Sequence, residues 1–210
     1  MKYLKMLGLT AIAAGALVLI LGTGSASATV LCSTTADPCP AGQKWPVGTT
    51  LDWSVPSGKS IKLVDTTGEE LDTCSGSTLK WTITNAGSAT ETVTGENEGT
   101  EWSSCTFPTK TLTLGKTEIH KITGTSNGTV TAEGTFEITI NTVFFGSCIY
   151  GATSGVSIYD LIEGVAAETK VNAVVEKFSG SNLACPSTAK MTGDYVLTAP
   201  KNTTLSVSNS

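Results

Sequence analysis

Gly124-Thr125-Ser126-Asn127-Gly128 spells GxSxG, the spacing that sets a nucleophilic serine on a strained strand-to-helix turn. Ser77-Thr78-Leu79-Lys80 and Ser187-Thr188-Ala189-Lys190 both spell SxxK, an acyl-serine pattern. Neither motif brings its companions. The single histidine, His120, precedes Ser126 where hydrolase order would place it after, the flanks read as strands, and no SDN or KTG triplet accompanies either SxxK. Glycoside hydrolysis would need only two carboxylates, and Glu91, Glu96, Glu98 and Glu101 form the densest acidic stretch. With Asn97 these side chains supply oxygen ligands of the kind calcium takes, but their spacing matches no calcium loop. A solvated acidic turn is the reading adopted for 91–101. No catalytic residue, metal ligand or cofactor motif is assigned, and the chain is expected not to be an enzyme.

Six cysteines remain: Cys32, Cys39, Cys74, Cys105, Cys148 and Cys185. They follow an apparent export signal, in which Lys2 and Lys5 precede an uncharged apolar run from Met6 to Gly22 and Ala26-Ser27-Ala28 offers a peptidase site. The run is shorter than the roughly 20 residues that span a bilayer, so residues 1–28 are expected to be removed, leaving 29–210 as one secreted, extracellular β-domain. In an oxidising compartment the cysteines form structural disulfides rather than metal sites, since there is no CxxC pair and one histidine at most to join them. Six cysteines permit 15 pairings. The sequential one is expected: Cys32 with Cys39, Cys74 with Cys105, Cys148 with Cys185. Each longer bridge would remove about 3 to 4 kcal/mol of unfolded-state freedom.

Charge narrows the partners. The chain has no arginine, and without Lys2 and Lys5 eleven lysines face eighteen acids, so the net charge falls from −5 to about −7. Nucleic acid is excluded because no basic cluster exists to neutralise phosphates. Anionic membrane surfaces are disfavoured on the same ground, and no membrane association is expected after signal cleavage. The last residues carry no LPxTG sorting motif, and free release is expected.

The elements that must position these residues read as strands throughout. Leu79, Trp81 and Ile83 alternate with polar residues, as do Phe136, Ile138 and Ile140, and all six are expected inside. Turn residues recur at Pro56-Ser57-Gly58, Thr67-Gly68, Ala86-Gly87, Gly95 to Gly99, Gly115, Asn127-Gly128, Gly146, Gly155, Gly180 and Gly193. Short strands at this rhythm predict an all-β fold: a single antiparallel β-sandwich or barrel-like domain stapled by disulfides. Asn127-Gly128 is expected to make a tight hairpin turn. Residues 165–178 fit a helical stripe or an alternating strand, and their β-branched content favours strand.

Tryptophan supplies the remaining handle. Trp81 and Trp53 belong to alternating strands, which leaves Trp45 and Trp102 as the expected exposed pair, able to stack on a polysaccharide, with Tyr150 and Tyr159 extending the platform. Leu31-Cys32, Cys39-Pro40, Trp45-Pro46-Val47-Gly48-Thr49, Asp72-Thr73-Cys74, Phe145-Gly146-Ser147-Cys148 and Cys185-Pro186 together resemble a group of uncharacterised, secreted, Thr/Ser-rich, six-cysteine actinobacterial proteins. The resemblance implies an exported, disulfide-bonded β-protein and carries no catalytic residues. Three functions stay open: a non-enzymatic interaction domain that contacts another surface protein, which is preferred; a carbohydrate-binding module; and a two-carboxylate glycosidase. Oligomeric state is not legible.

Overall fold

Leu79, Trp81, Ile83, Phe136, Ile138 and Ile140 are all buried in the computed structural model, which describes residues 29–210. The expected signal, 1–28, lies outside the described residues. Fourteen strands follow one another, with no helix among the described residues: β1 (Thr29–Cys32), β2 (Thr50–Ser54), β3 (Ile61–Asp65), β4 (Glu70–Ala86), β5 (Val93–Cys105), β6 (Thr109–Thr113), β7 (Lys116–Lys121), β8 (Gly128–Glu133), β9 (Phe136–Thr142), β10 (Gly146–Ala152), β11 (Ser157–Ile162), β12 (Glu168–Lys177), β13 (Thr188–Ala199) and β14 (Ser206–Asn209).

Eight of them close into an antiparallel barrel in the order β4-β5-β7-β8-β11-β12-β13-β2, with β2 returning to β4. The fold is therefore a barrel rather than an open sandwich. β2 and β3 share one slot: both bridge β13 and β4, β2 at one level and β3 at the next. Below the barrel β12 runs on past β11 to pair with β10, which continues through β9 to β6. This annex shares a continuous core with the barrel, so Leu51, Trp53 and Tyr159 belong to the same apolar cluster as Ile61, Ile140 and Met191.

The ambiguous segment is strand β12. Thr169, Val171, Ala173 and Val175 point inward while Val174 lies exposed, a period of two that a helix could not give. Two expected breaks prove to be strand interior. β5 runs straight through Gly95 to Gly99, because the Trp81 indole of β4 lies against Gly95: a Cβ there would sit 2.0 Å from Cζ2. Gly193 lies within β13, where a Cβ would come 2.5 Å from Ile61 Cδ1. The hairpin between β7 and β8 exists, yet Asn127-Gly128 is not its turn. The connection is longer, with Gly124 taking positive φ, and Gly128 opens β8 beside Val207, whose Cγ2 a Cβ would meet at 2.8 Å. Ile119 turns in and Ile122, just past β7, turns out, as an odd spacing along extended chain requires.

A separate two-stranded ribbon of β1 and β14 closes one end of the barrel. Leu31 and Leu205 reach into the barrel's interior, and the loop that leaves β1 is held by the Cys32–Cys39 disulfide and by Asp37. That carboxylate accepts the ammonium of Lys121 on β7, the Ser208 hydroxyl and the Asn209 backbone N–H, joining loop, ribbon and barrel. The Lys121 hydrogen bond, aided by that of Asn209, holds the Asp37 carboxyl below its usual value.

Gly95→Ala is expected to destabilise by about 2 to 3 kcal/mol, since the rigid indole has to move off the strand, and thermal denaturation should show a melting temperature lowered by roughly 5 °C or more. Asp37→Asn removes the charge partner of the nearly buried Lys121 and, Asp37 itself being exposed, should cost about 1 to 2 kcal/mol near neutral pH. Because the folded-state value of Asp37 is depressed, its contribution is complete above the unfolded value, about pH 4, and disappears as pH falls through the lower folded value. Denaturant melts of wild type and variant should therefore differ at pH 7 and converge in strong acid.

Candidate functional site

The barrel interior offers no room for a substrate. A cavity of about 40 Å³ lies within it, walled by Leu51, Trp53, Trp81, Ile119, Tyr159 and Leu161, enough for a few water molecules. Trp81 donates to Thr117 Oγ1 at 2.8 Å, and the Tyr195 hydroxyl donates to Ser77 Oγ at 2.9 Å, which in turn donates to the Glu101 carbonyl. Burial pushes the Tyr159 phenol up to about 12 and the Tyr195 phenol higher still. Both hydroxyls stay neutral at any physiological pH, and that of Tyr195 is a structural partner of Ser77.

The serine motifs come apart in the same way. Ser77 faces the core while Lys80 faces outward beside Glu98, at 3.5 Å. His120 lies on the outer face of β7, 3.1 Å from Thr131 Oγ1 and 3.3 Å from Glu118, and Ser126 is not among its hydrogen-bond partners. The acidic stretch is a strand and not a turn. Glu96 pairs with Lys116 at 2.9 Å and Glu98 with Thr82 and Lys80, while Asn97 points into the core. Two carboxylates, Asp52 and Glu101, do line one open depression on the barrel wall, with Lys80 between them.

The expected exposure of the aromatic side chains is corrected at Trp45, Tyr150 and Tyr159. Trp45 is only 9% exposed and belongs to the core cluster; Trp102 is half-buried against it and donates to Thr111 Oγ1 at 2.9 Å. Tyr150 and Tyr159 are buried as well. Trp45 follows a β1 partner, its N–H bonding the Leu31 carbonyl, so the ribbon carries it inward.

The cysteines pair in chain order: Cys32–Cys39, Cys74–Cys105 and Cys148–Cys185, with no free thiol among the described residues. Asp72 lies beside Cys74 and Cys105, but those sulfurs are bonded to each other. The buried carboxylate instead accepts Phe107 N–H at 3.0 Å and the Thr109 hydroxyl at 2.5 Å, fixing the turn from β5 into β6.

What the surface does offer is apolar. Val143 and Phe144, at the turn of the β9–β10 hairpin, are 82% and 85% exposed, and Leu183, in the loop after β12, is 94% exposed. The local sequence builds this tip. Ile138 and Ile140 bury one face of β9; then alternation fails, and Val143-Phe144-Phe145 runs unbroken into Gly146, whose φ of +70° turns the chain. Phe145 packs against the core, which leaves its two predecessors outside. Thr142 clamps the turn, accepting Phe145 N–H at 2.9 Å and donating to the Gly146 carbonyl.

The second loop is laced to the hairpin. Phe178 N–H and the Ser181 hydroxyl bond Ile149, Asn182 N–H bonds the Ser147 carbonyl at 2.9 Å, and Cys148–Cys185 fastens the base. Lys177 caps the Cys185 and Leu183 carbonyls at 3.0 and 3.5 Å. Sequence reasoning missed this tip because it searched for alternating patterns; the signal available was three consecutive large apolar residues ahead of a turn glycine. No protein-family model matches the chain, and neither a curated protein nor a solved structure matches it.

Proposed function

We propose that the protein is an exported, non-enzymatic binding module whose barrel serves as a rigid mount for the Val143, Phe144 and Leu183 tip. The observation that carries this reading is the exposure of three large apolar side chains on two loops tied by one disulfide and a ladder of hydrogen bonds. Solvent-exposed apolar clusters on a stiff support cost solubility and serve contact. The three disulfides support an oxidising, extracellular setting, and no helix among the described residues is long and apolar enough to cross a membrane. The filled barrel argues against a ligand carried inside it, and burial of Trp45 argues against a paired tryptophan platform for sugars.

Purified protein should be retained on the surface of cells from its own culture, and Phe144→Ser should lose most of that retention while melting within about 2 °C of wild type, because the side chain touches solvent rather than core. A broad hydrolase screen should show no turnover. Turnover that falls on Asp52→Asn or Glu101→Gln would point to a glycosidase, and retention indifferent to Phe144→Ser would remove the tip from the account.

A further inference from the structure

We infer that the tip inserts into the interface of an uncharged, zwitterionic lipid surface; this rests on the binding-module reading and names its partner. Three features converge on lipid. First, the chain carries no charged residue from Asn141 to Tyr159 or from Phe178 to Ala189, so both tip loops are charge-free in a protein that is otherwise strongly acidic. Entry into a headgroup region therefore requires no carboxylate or ammonium to leave water. Lys177, whose ammonium borders the second loop, is turned back onto that loop's own carbonyls.

Second, the tip is small and convex. Its three side chains offer on the order of 400 Å² of apolar surface, about half of what each partner contributes to a standard protein interface. A second copy or a flat protein partner would gain too little from it. A fluid interface wraps a projection of any shape and rewards apolar area alone.

Third, the backbone at the base of the tip is satisfied internally, so that only the outermost turn at Val143 and Phe144 keeps N–H and C=O groups for headgroup water. The Gly146, Ser147, Leu183 and Cys185 carbonyls and the Phe145, Asn182 and Ala184 N–H groups all have partners within the two loops and Lys177. Unsatisfied groups would oppose transfer out of water. The net charge then sets the lipid class, since anionic headgroups repel this acidic chain and neutral ones do not. This departs from the expectation of no membrane association after signal cleavage, whose charge argument bears on anionic surfaces and not on neutral ones.

The full-length secreted protein would be sedimented with sucrose-loaded phosphatidylcholine vesicles, and with vesicles in which half the lipid is phosphatidylglycerol. Partition to phosphatidylcholine is expected, lowered at least fivefold by Phe144→Ser and by Leu183→Ser, and untouched by Leu112→Ser, which removes an exposed apolar side chain elsewhere. Phosphatidylglycerol should weaken binding at low salt and the loss should recover in 0.5 M salt, an amount of salt that screens charges beyond about 4 Å. No partition, partition equal in Phe144→Ser, or a preference for phosphatidylglycerol would each overturn the inference. Cell-surface retention that needs Phe144 without any vesicle binding would assign the tip to an apolar pocket in a protein, leaving the binding-module reading standing and the lipid partner refuted.

Discussion

Closure of the hydrogen-bonded ring governs what else this chain can be. Once β2 has paired with both β13 and β4, the eight-stranded wall has a fixed girth, and the side chains that point inward must fill a space just large enough for them. Trp53, Trp81 and Tyr159 do most of the filling, and the ribbon of β1 and β14 supplies Leu31 and Leu205 at one end. Trp81 fits only because β5 presents Gly95 beneath its ring. A solid interior of this kind moves any encounter with another molecule to the outside of the barrel or to its ends.

The annex follows from the same demand for partners. β12 is longer than the β11 edge it pairs with, and its free end recruits β10, then β9 and β6. That extension carries the β9–β10 turn away from the closed ring, and the loop after β12 folds back onto the remaining edge of β10 through Phe178, Ser181 and Asn182. Two surface loops thus gain the order of the sheet without belonging to it. Cys148–Cys185 adds a covalent stop against their separation.

Period-two alternation made the strands legible wherever one face was buried, which is why the Leu79 and Phe136 sets and β12 read correctly. Glycines misled at Gly95 and Gly193, because a single sequence does not separate a glycine that turns the chain from one that makes room for Trp81 or Ile61 across the sheet. Cysteine pairing in chain order was legible, since each pair sits within 40 residues and on neighbouring strands or loops. Exposure of the tryptophans was not. Trp45 is carried inward by a backbone bond to Leu31, a tertiary contact with no local signature. The apolar tip has no motif to mark it, because its exposure comes from failure of alternation at Val143-Phe144-Phe145.

The ribbon has a consequence for how the molecule can be handled. Thr29 lies opposite Asn209 in register, at the end of the barrel where β12 begins, whereas the Val143–Phe144 turn projects from the end where β12 finishes, some 30 Å away at the rise of an extended strand. Anything fused before the first strand or after the last would emerge at the far pole, oriented away from the apolar turn. Within residues 29–210 the start of the first strand and the end of the last are near enough for a short linker to join them, so this stretch is suited to circular permutation, with new ends opened in a solvent-facing turn such as the one around Gly58.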